Sequence, residues 1–275
     1  MMKNVCVITG GGSGMGLAAA KCMPKEKIIL VTGRTLSKLE NAVGELKELG
    51  YEAYAKTCDT SNREQVRELA EYAASLGEIK NVINSAGLSP AMADPEKLIR
   101  VNALGTVYIN EEFSKLMNAG SVIVDISSNS AYILPGFLAS AKTFALADTD
   151  EEKFVKKMLS LPSKLKGYKA SGLAYGLSKK FVIWYAAKSA YALGAKGIRV
   201  CSLSPGLIAT DMGALEAEEG GSLLKTTAEK RMGKPEELGF AIATVADERN
   251  GYLAAVDILC DGGSIRGQKE FKKKK

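Results

Sequence analysis

The sequence has no histidine in its 275 residues. That excludes nucleophile systems that depend on an imidazole base, and it removes the commonest nitrogen ligand of a zinc site, so no metal is expected. No segment reaches the roughly 18–20 consecutive apolar residues that a membrane-spanning helix needs. The first residues, MMKNVCVITGGG, carry one charge and a short apolar run that breaks into glycines, so they are not read as a signal peptide. Five cysteines stand at 6, 22, 58, 201 and 260, an odd number with no C-x-x-C pair. Cys6, Cys201 and Cys260 lie in apolar, strand-like runs, which reads as free thiols in a reducing compartment and points to a cytoplasmic protein. The formal net charge is +6, and four of those positives are the terminal Lys272–Lys275. A basic stripe interleaved with aromatics is missing, so nucleic acid is not an expected partner. Residues 268–275 read as a flexible basic tail.

What is present is ordinary globular composition, 46% apolar and 25% charged. Short β-branched runs alternate with amphipathic stretches. Strands are expected at Val5–Thr9, Lys27–Thr32, Tyr51–Thr57, Val82–Asn84, Ser121–Ile126, Ile198–Leu203 and Val256–Cys260. Helices are expected at Gly14–Cys22, Leu36–Leu49, Arg63–Ser75, Gly172–Leu193 and Pro235–Ala246. This spacing predicts βαβ units and a mainly parallel sheet covered on both faces, in one α/β domain over 1–275. One stretch breaks the rhythm: residues 131–171 hold no strand. A helix is expected at Asp150–Leu159, opened by a Thr149/Glu152 capping box and stopped by Pro162.

The first strand runs into T-G-G-G-S-G-M-G, residues 9–16, and then into a helix. Glycines let the backbone turn tightly and approach a pyrophosphate, and the helix start offers unpaired N–H groups and a positive dipole end. Strand before and helix after make this the phosphate cradle of a doubly wound Rossmann fold, with Gly10, Ser13, Gly14, Met15 and Gly16 as its contacts. After the second strand, where an acid would hold ribose hydroxyls, stand Gly33 and Arg34. A guanidinium there pairs with a 2′-phosphate, so NADP(H) is the expected cofactor and NAD(H) the alternative. The bland alternative is that Arg34 is a solvated loop residue.

Tyr175 and Lys179 stand four apart in LAYGLSKKF, on one face of the long helix. An ammonium beside a phenol favours phenolate and lowers its pKa, which suits proton exchange with a carbonyl or alcohol oxygen. With TGGGSGMG, CDTS at 58–61, NSAG at 84–87, VNALGT, VDISS, SPGLIATDM, RMGKPEEL and VDILCDGG in this order, the sequence resembles the short-chain dehydrogenase/reductase family over nearly its whole length. The resemblance implies a general acid/base at Tyr175. It implies a Lys179 that tunes Tyr175 and binds the nicotinamide ribose. Ser128, the second of an adjacent serine pair, would hydrogen-bond the substrate oxygen, so Ser128→Ala would cut kcat by orders of magnitude and Ser127→Ala would be mild. Asn102 would hold a relay water. It further implies cofactor contacts from Asp59 and Thr60 at the adenine, from Asn84, Ala86 and Gly87 at its ribose, and from Pro205, Gly206, Ile208 and Thr210 toward the nicotinamide.

Two departures stand out. Asn-Ser-Ala-Gly replaces the usual Asn-Asn-Ala-Gly, and the Ser128–Tyr175 spacing is several times longer than usual. The insertion responsible supplies Leu134, Phe137, Leu138, Phe144, Phe154, Met158 and Leu161 beside the expected cleft mouth, which suits a bulky apolar substrate. Alternatively it remodels a subunit interface, since the family commonly forms homodimers or homotetramers through this helix. The placement, with GLAYGLSK after it, resembles bacterial 3α-hydroxysteroid dehydrogenases. The expected substrate is therefore an apolar carbonyl or alcohol, a hydroxysteroid or bile acid. A general carbonyl or quinone reductase, a 3-oxoacyl reductase and a catalytically silent nucleotide sensor are the rivals.

Overall fold

The computed structural model describes residues 2–213 and 221–271. Seven strands form one parallel sheet: β1 (Asn4–Thr9), β2 (Ile28–Gly33), β3 (Glu52–Thr57), β4 (Glu78–Asn84), β5 (Val122–Ile126), β6 (Arg199–Pro205) and β7 (Asp257–Cys260). Their order is β3-β2-β1-β4-β5-β6-β7. Strand order reverses between β1 and β4, and in open sheets of this kind the crevice beyond the carboxyl ends at that point is where ligands sit.

Alternation along each strand assigns side chains to two cores. Val5 and Val7 of β1 join one apolar cluster, while Cys6 and Ile8 join the other, and all four are fully buried. The second cluster is covered by α1 (Gly14–Cys22), α2 (Leu36–Glu48) and α10 (Pro235–Val245). The first is covered by α3 (Arg63–Leu76), α4 (Pro95–Ile99), α5 (Gly105–Ser114) and α9 (Tyr168–Leu193). The α1–α10 contact is close because Gly239 has no side chain: a Cβ there would lie 2.5 Å from the Ala18 carbonyl carbon.

Helix α4, a π-helical turn over Arg100–Leu104 and α5 run on as one rod that hydrophobic periodicity does not reveal. Its start is marked by Asp94, whose side chain accepts from the Lys97 amide at 2.9 Å, with Pro95 next. Every residue of α5 except Glu111 is buried, so no polar face betrays it. β4 begins four residues before the expected Val82, because sheet pairing outweighs the charges of Glu78 and Lys80.

The stretch 131–171 is helical: α6 (Ser130–Ile133), α7 (Ala141–Phe144) and α8 (Glu151–Met158) are joined by 3₁₀ turns. The N-cap of α8 is Asp150, which accepts from the Lys153 amide at 2.9 Å, so the expected Thr149/Glu152 box does not form. Glu152 instead meets the Arg100 guanidinium with both oxygens, at 3.0 Å each. The expected cleft wall is also corrected. Phe144, Phe154 and Met158 are buried: Phe144 packs on Phe181 and Trp184 of α9, and Phe154 packs on Phe181, which stacks in turn on Tyr185. Burying three large apolar groups beneath the Phe181 and Trp184 rings removes more surface from water than lining an open cleft would. Gly267–Phe271, which overlaps the segment 268–275 expected to be tail, forms a π-helical turn, and Lys272–Lys275 lie outside the described residues.

Candidate active site

The glycine loop is shaped by backbone that other residues cannot reproduce. Gly10 and Gly14 have φ of +66° and +54°. A Cβ on Gly16 would fall 2.5 Å from the Gly10 carbonyl oxygen, and one on Gly10 would fall 2.9 Å from that of Ser85. The loop therefore closes on itself and against the β4 turn, and α1 begins with no acid in its first turn to oppose an anion.

A cleft of about 410 Å³ opens above this loop. Gly10, Ser13, Gly14, Met15 and Gly16 floor it, Ala86 and Gly87 form one side, and Pro205, Gly206, Ile208 and Thr210 form another. Ser128 and, far along the chain, Tyr175 and Lys179 line the same space. Leu88, Ile126, Ala209 and Met212 add apolar wall that the motifs do not name. None of the seven apolar insertion residues lines this cleft. A second recess of about 170 Å³ continues along the loop past Arg34, Asp59 and Thr60. Lys38, four residues beyond Arg34 in the first turn of α2, also lines it. The motifs do not name it either; the legible signal is a second cation one helical turn into α2 after Arg34. Burial opposes the charge on Asp59, but the hydroxyl and amide of Ser61 and the nearby Arg34 hold its carboxyl below the ordinary value.

The ends of β5 and α9 are clasped together. Lys179 Nζ donates to the Ile126 carbonyl at 2.8 Å, and Ser127 Oγ donates to the Lys179 carbonyl at 2.7 Å. Lys179 Nζ lies 5.9 Å from the centre of the Tyr175 ring, so the ammonium field reaches the phenol. Ser128 is largely buried at the cleft wall, where its Oγ accepts from the Ser130 amide at 3.2 Å.

Two expected site residues are held in hydrogen bonds behind the cleft wall. The Asn102 side chain is committed to the turn after β4: it accepts from the Leu88 amide at 2.8 Å, donates to the Leu88 carbonyl at 3.0 Å and reaches Ser178 Oγ at 3.3 Å. It fixes that turn, and a Cβ on Gly87 would lie 3.3 Å from its Oδ1 and 3.4 Å from Lys179 Nζ. Its place in the π-helical turn suits this, since such turns re-aim side chains near sites. Asn84 lines neither recess. Its Oδ1 accepts from Thr9 Oγ1 at 3.0 Å, and its Nδ2 reaches Asp125 at 2.9 Å and Thr106 Oγ1 at 3.2 Å.

Known proteins share this fold and these motifs in sequence and in structure. The family model for short chain dehydrogenase matches residues 4–142, and that described as enoyl-(acyl carrier protein) reductase matches 158–264. The chain is 30% identical over 270 residues to the short-chain dehydrogenase/reductase bsc3 of Alternaria brassicicola, covering 96% of this chain and 97% of that one. It is 23% identical to the 7alpha-hydroxysteroid dehydrogenase of Escherichia coli K12, over 94% of this chain and 93% of the relative. The crystal structure of 3-oxoacyl-[acyl-carrier protein] reductase from Brucella melitensis in complex with NAD superposes with a TM-score of 0.77 at 21% identity, covering 97% and 98% of the two chains.

Proposed function

The chain belongs to the short-chain dehydrogenase/reductase family and is an NAD(P)-dependent oxidoreductase, and on that premise we propose that it interconverts an apolar secondary alcohol and its ketone, with a hydroxysteroid or bile acid as substrate. The observation that carries the reaction is the meeting of Ser128, Tyr175 and Lys179 on one wall of the glycine-floored cleft. The glycine cradle and the acid-free start of α1 fit a dinucleotide pyrophosphate, which a side chain at Gly16 would exclude. When bound, the nicotinamide supplies or accepts the hydride. Tyr175 gives its phenolic proton to the ketone oxygen in one direction and takes the alcohol proton in the other. Lys179 places its charge 5.9 Å from the Tyr175 ring centre, where it favours phenolate, and the clasp to Ile126 and Ser127 keeps the ammonium in place. Ser128 Oγ hydrogen-bonds the substrate oxygen as charge develops on it. Asn102 and Asn84 support the turn that carries Ala86 and Gly87.

Arg34 supports NADP(H) as the preferred cofactor, and Lys38 adds a second cation to the same recess. Asp59 and Thr60 complete that recess at the adenine end. The apolar wall of Leu88, Ile126, Ile208 and Met212 supports an apolar substrate, and the hydroxysteroid dehydrogenase relative supports its class. The enzyme works in the cytoplasm as a homodimer or homotetramer. The exposed Phe240 and Tyr252 offer apolar surface for a subunit contact. Among the described residues no helix is long and apolar enough to cross a membrane.

The test is one substrate panel run with both cofactors: steroid and bile-acid hydroxyls and ketones, small aldehydes, quinones and 3-ketoacyl thioesters. Turnover of a steroid, with a higher kcat/KM for NADPH than NADH, is expected. Good activity on a small carbonyl or thioester with none on any steroid overturns the substrate class, and cofactor binding with no turnover across the panel overturns the catalytic reading.

A further inference from the structure

The sheet interior below the cleft holds an acid that the proposed chemistry does not use. Asp125, on β5, is fully buried. Its carboxylate accepts from Asn84 Nδ2 at 2.9 Å and from Asn110 Nδ2 at 3.0 Å to each oxygen. These donors are neutral amides on β4 and α5. The titratable groups that face it from other elements are Lys179 and Tyr185 of α9 and Cys201 of β6. A carboxylate in an apolar layer is costly to keep unless its oxygens are hydrogen-bonded, and here two amides donate to them.

From Asp125 the hydrogen bonds lead to both sides of the cleft. Through Asn84 they pass to Thr9 Oγ1, which accepts from the Ala86 amide at 2.9 Å, at the turn lining both recesses. Along the strand, the next two residues are Ile126 and Ser127, which clasp Lys179 by its ammonium and its carbonyl.

We infer that Asp125 is a positioning residue: its carboxylate anchors the amide network that seats the Ala86 turn, and its negative charge offsets the field that Lys179 exerts on Tyr175. This rests on the assignment of Tyr175 and Lys179 above. Burial pushes the Asp125 carboxyl up to about 7, with the amides of Asn84 and Asn110 and the charge of Lys179 restraining the rise. The offsetting charge is therefore present above neutrality and fades below it. Removing it leaves the ammonium unopposed, so phenolate forms more easily.

The experiment is Asp125→Asn, which keeps the size and polarity of the side chain. Two midpoints are read in the full-length protein: the phenolate absorbance titration of Tyr175, obtained by subtracting the matching Tyr175→Phe protein, and the acidic limb of kcat/KM for alcohol oxidation. Both are expected to move to lower pH by about half a unit or more. A purely structural role changes thermal stability and amplitude but leaves the midpoints in place, so a folded variant with unmoved midpoints overturns the inference. If Asp125→Asn does not fold, Asn110→Ser serves. It removes the two Asn110 bonds to the carboxylate, raises the pKa of Asp125, and moves the midpoints the same way by less. An unmoved midpoint there overturns the inference equally. A shifted phenolate titration in a protein that oxidises no alcohol sinks the proposed function and leaves the role of Asp125 standing. Normal turnover with an unshifted titration does the reverse.

Discussion

At the scale of single residues, the site separates groups that meet a ligand from groups that hold them. Tyr175→Phe removes the one proton that the proposed chemistry moves, so kcat is expected to fall about 10²–10⁴-fold while cofactor affinity by fluorescence titration stays near wild type. Ser127 and Ser128 are adjacent yet differ in duty. The bond from Ser127 Oγ to the Lys179 carbonyl makes Ser127→Ala more than the mild change the motif alone implies. Losing a buried hydrogen bond costs about 1 kcal/mol, read as a lower melting temperature with a modest kcat loss, whereas Ser128→Ala costs kcat by orders of magnitude at little cost in stability. Arg34→Asp replaces a cation with an acid in the recess it shares with Lys38. It is expected to lower kcat/KM for NADPH about tenfold to a hundredfold and leave NADH unchanged or improved. Most of these residues are legible in the sequence because their chemistry depends on residue type and order. Asn102 and Asn84 are only half legible: the motif names them, but the direction of an amide side chain is set by neighbours such as Leu88 and Asp125.

At the scale of elements, the insertion is a docked helical module with a charged seam. Arg63 meets Glu111 and Glu151 at 2.6 and 3.1 Å and lies over the Tyr108 ring, and Tyr108 donates to Glu151 at 2.6 Å. Beneath the seam, Phe154 packs on Phe181 with ring centres 4.9 Å apart. The aromatic contact is fully buried and the ion pairs are half-exposed, so packing holds the module more strongly than the charges do. Phe154→Ala is expected to cost about 3–5 kcal/mol by denaturant unfolding, and Asp150→Ala, which uncaps α8, about 1 kcal/mol. Neither side chain lines the cleft, so KM for a small substrate should not change in the folded variants. The helicity of this stretch is legible from the Phe154–Met158 spacing. Its docking site is not, because an apolar stripe says that it will be buried and leaves open against what.

At the scale of the whole molecule, the buried acid ties stability to pH. The carboxyl of Asp125 stands at about 7 in the fold against an ordinary 3.8, so the fold binds its proton more tightly than the unfolded chain does. Its contribution is therefore fully present below about pH 4 and is lost as pH rises toward 7. The melting temperature of Asp125→Asn relative to the wild type should be higher at pH 8 than at pH 5, and an equal difference at both would count against a buried ionised group. The parallel sheet, the cradle and the order of the motifs were determined by sequence alone, because strand periodicity, glycine geometry and residue chemistry act over a few neighbours. Tertiary structure decided the rest. It turned a stripe expected at the cleft mouth into core against α9, it made a rod of residues 95–114 whose near-complete burial from Val101 onward erases its period, and it brought Asp125 within the field of Lys179. Those outcomes depend on what stands opposite each residue once the sheet has closed, and spacing along the chain does not encode that.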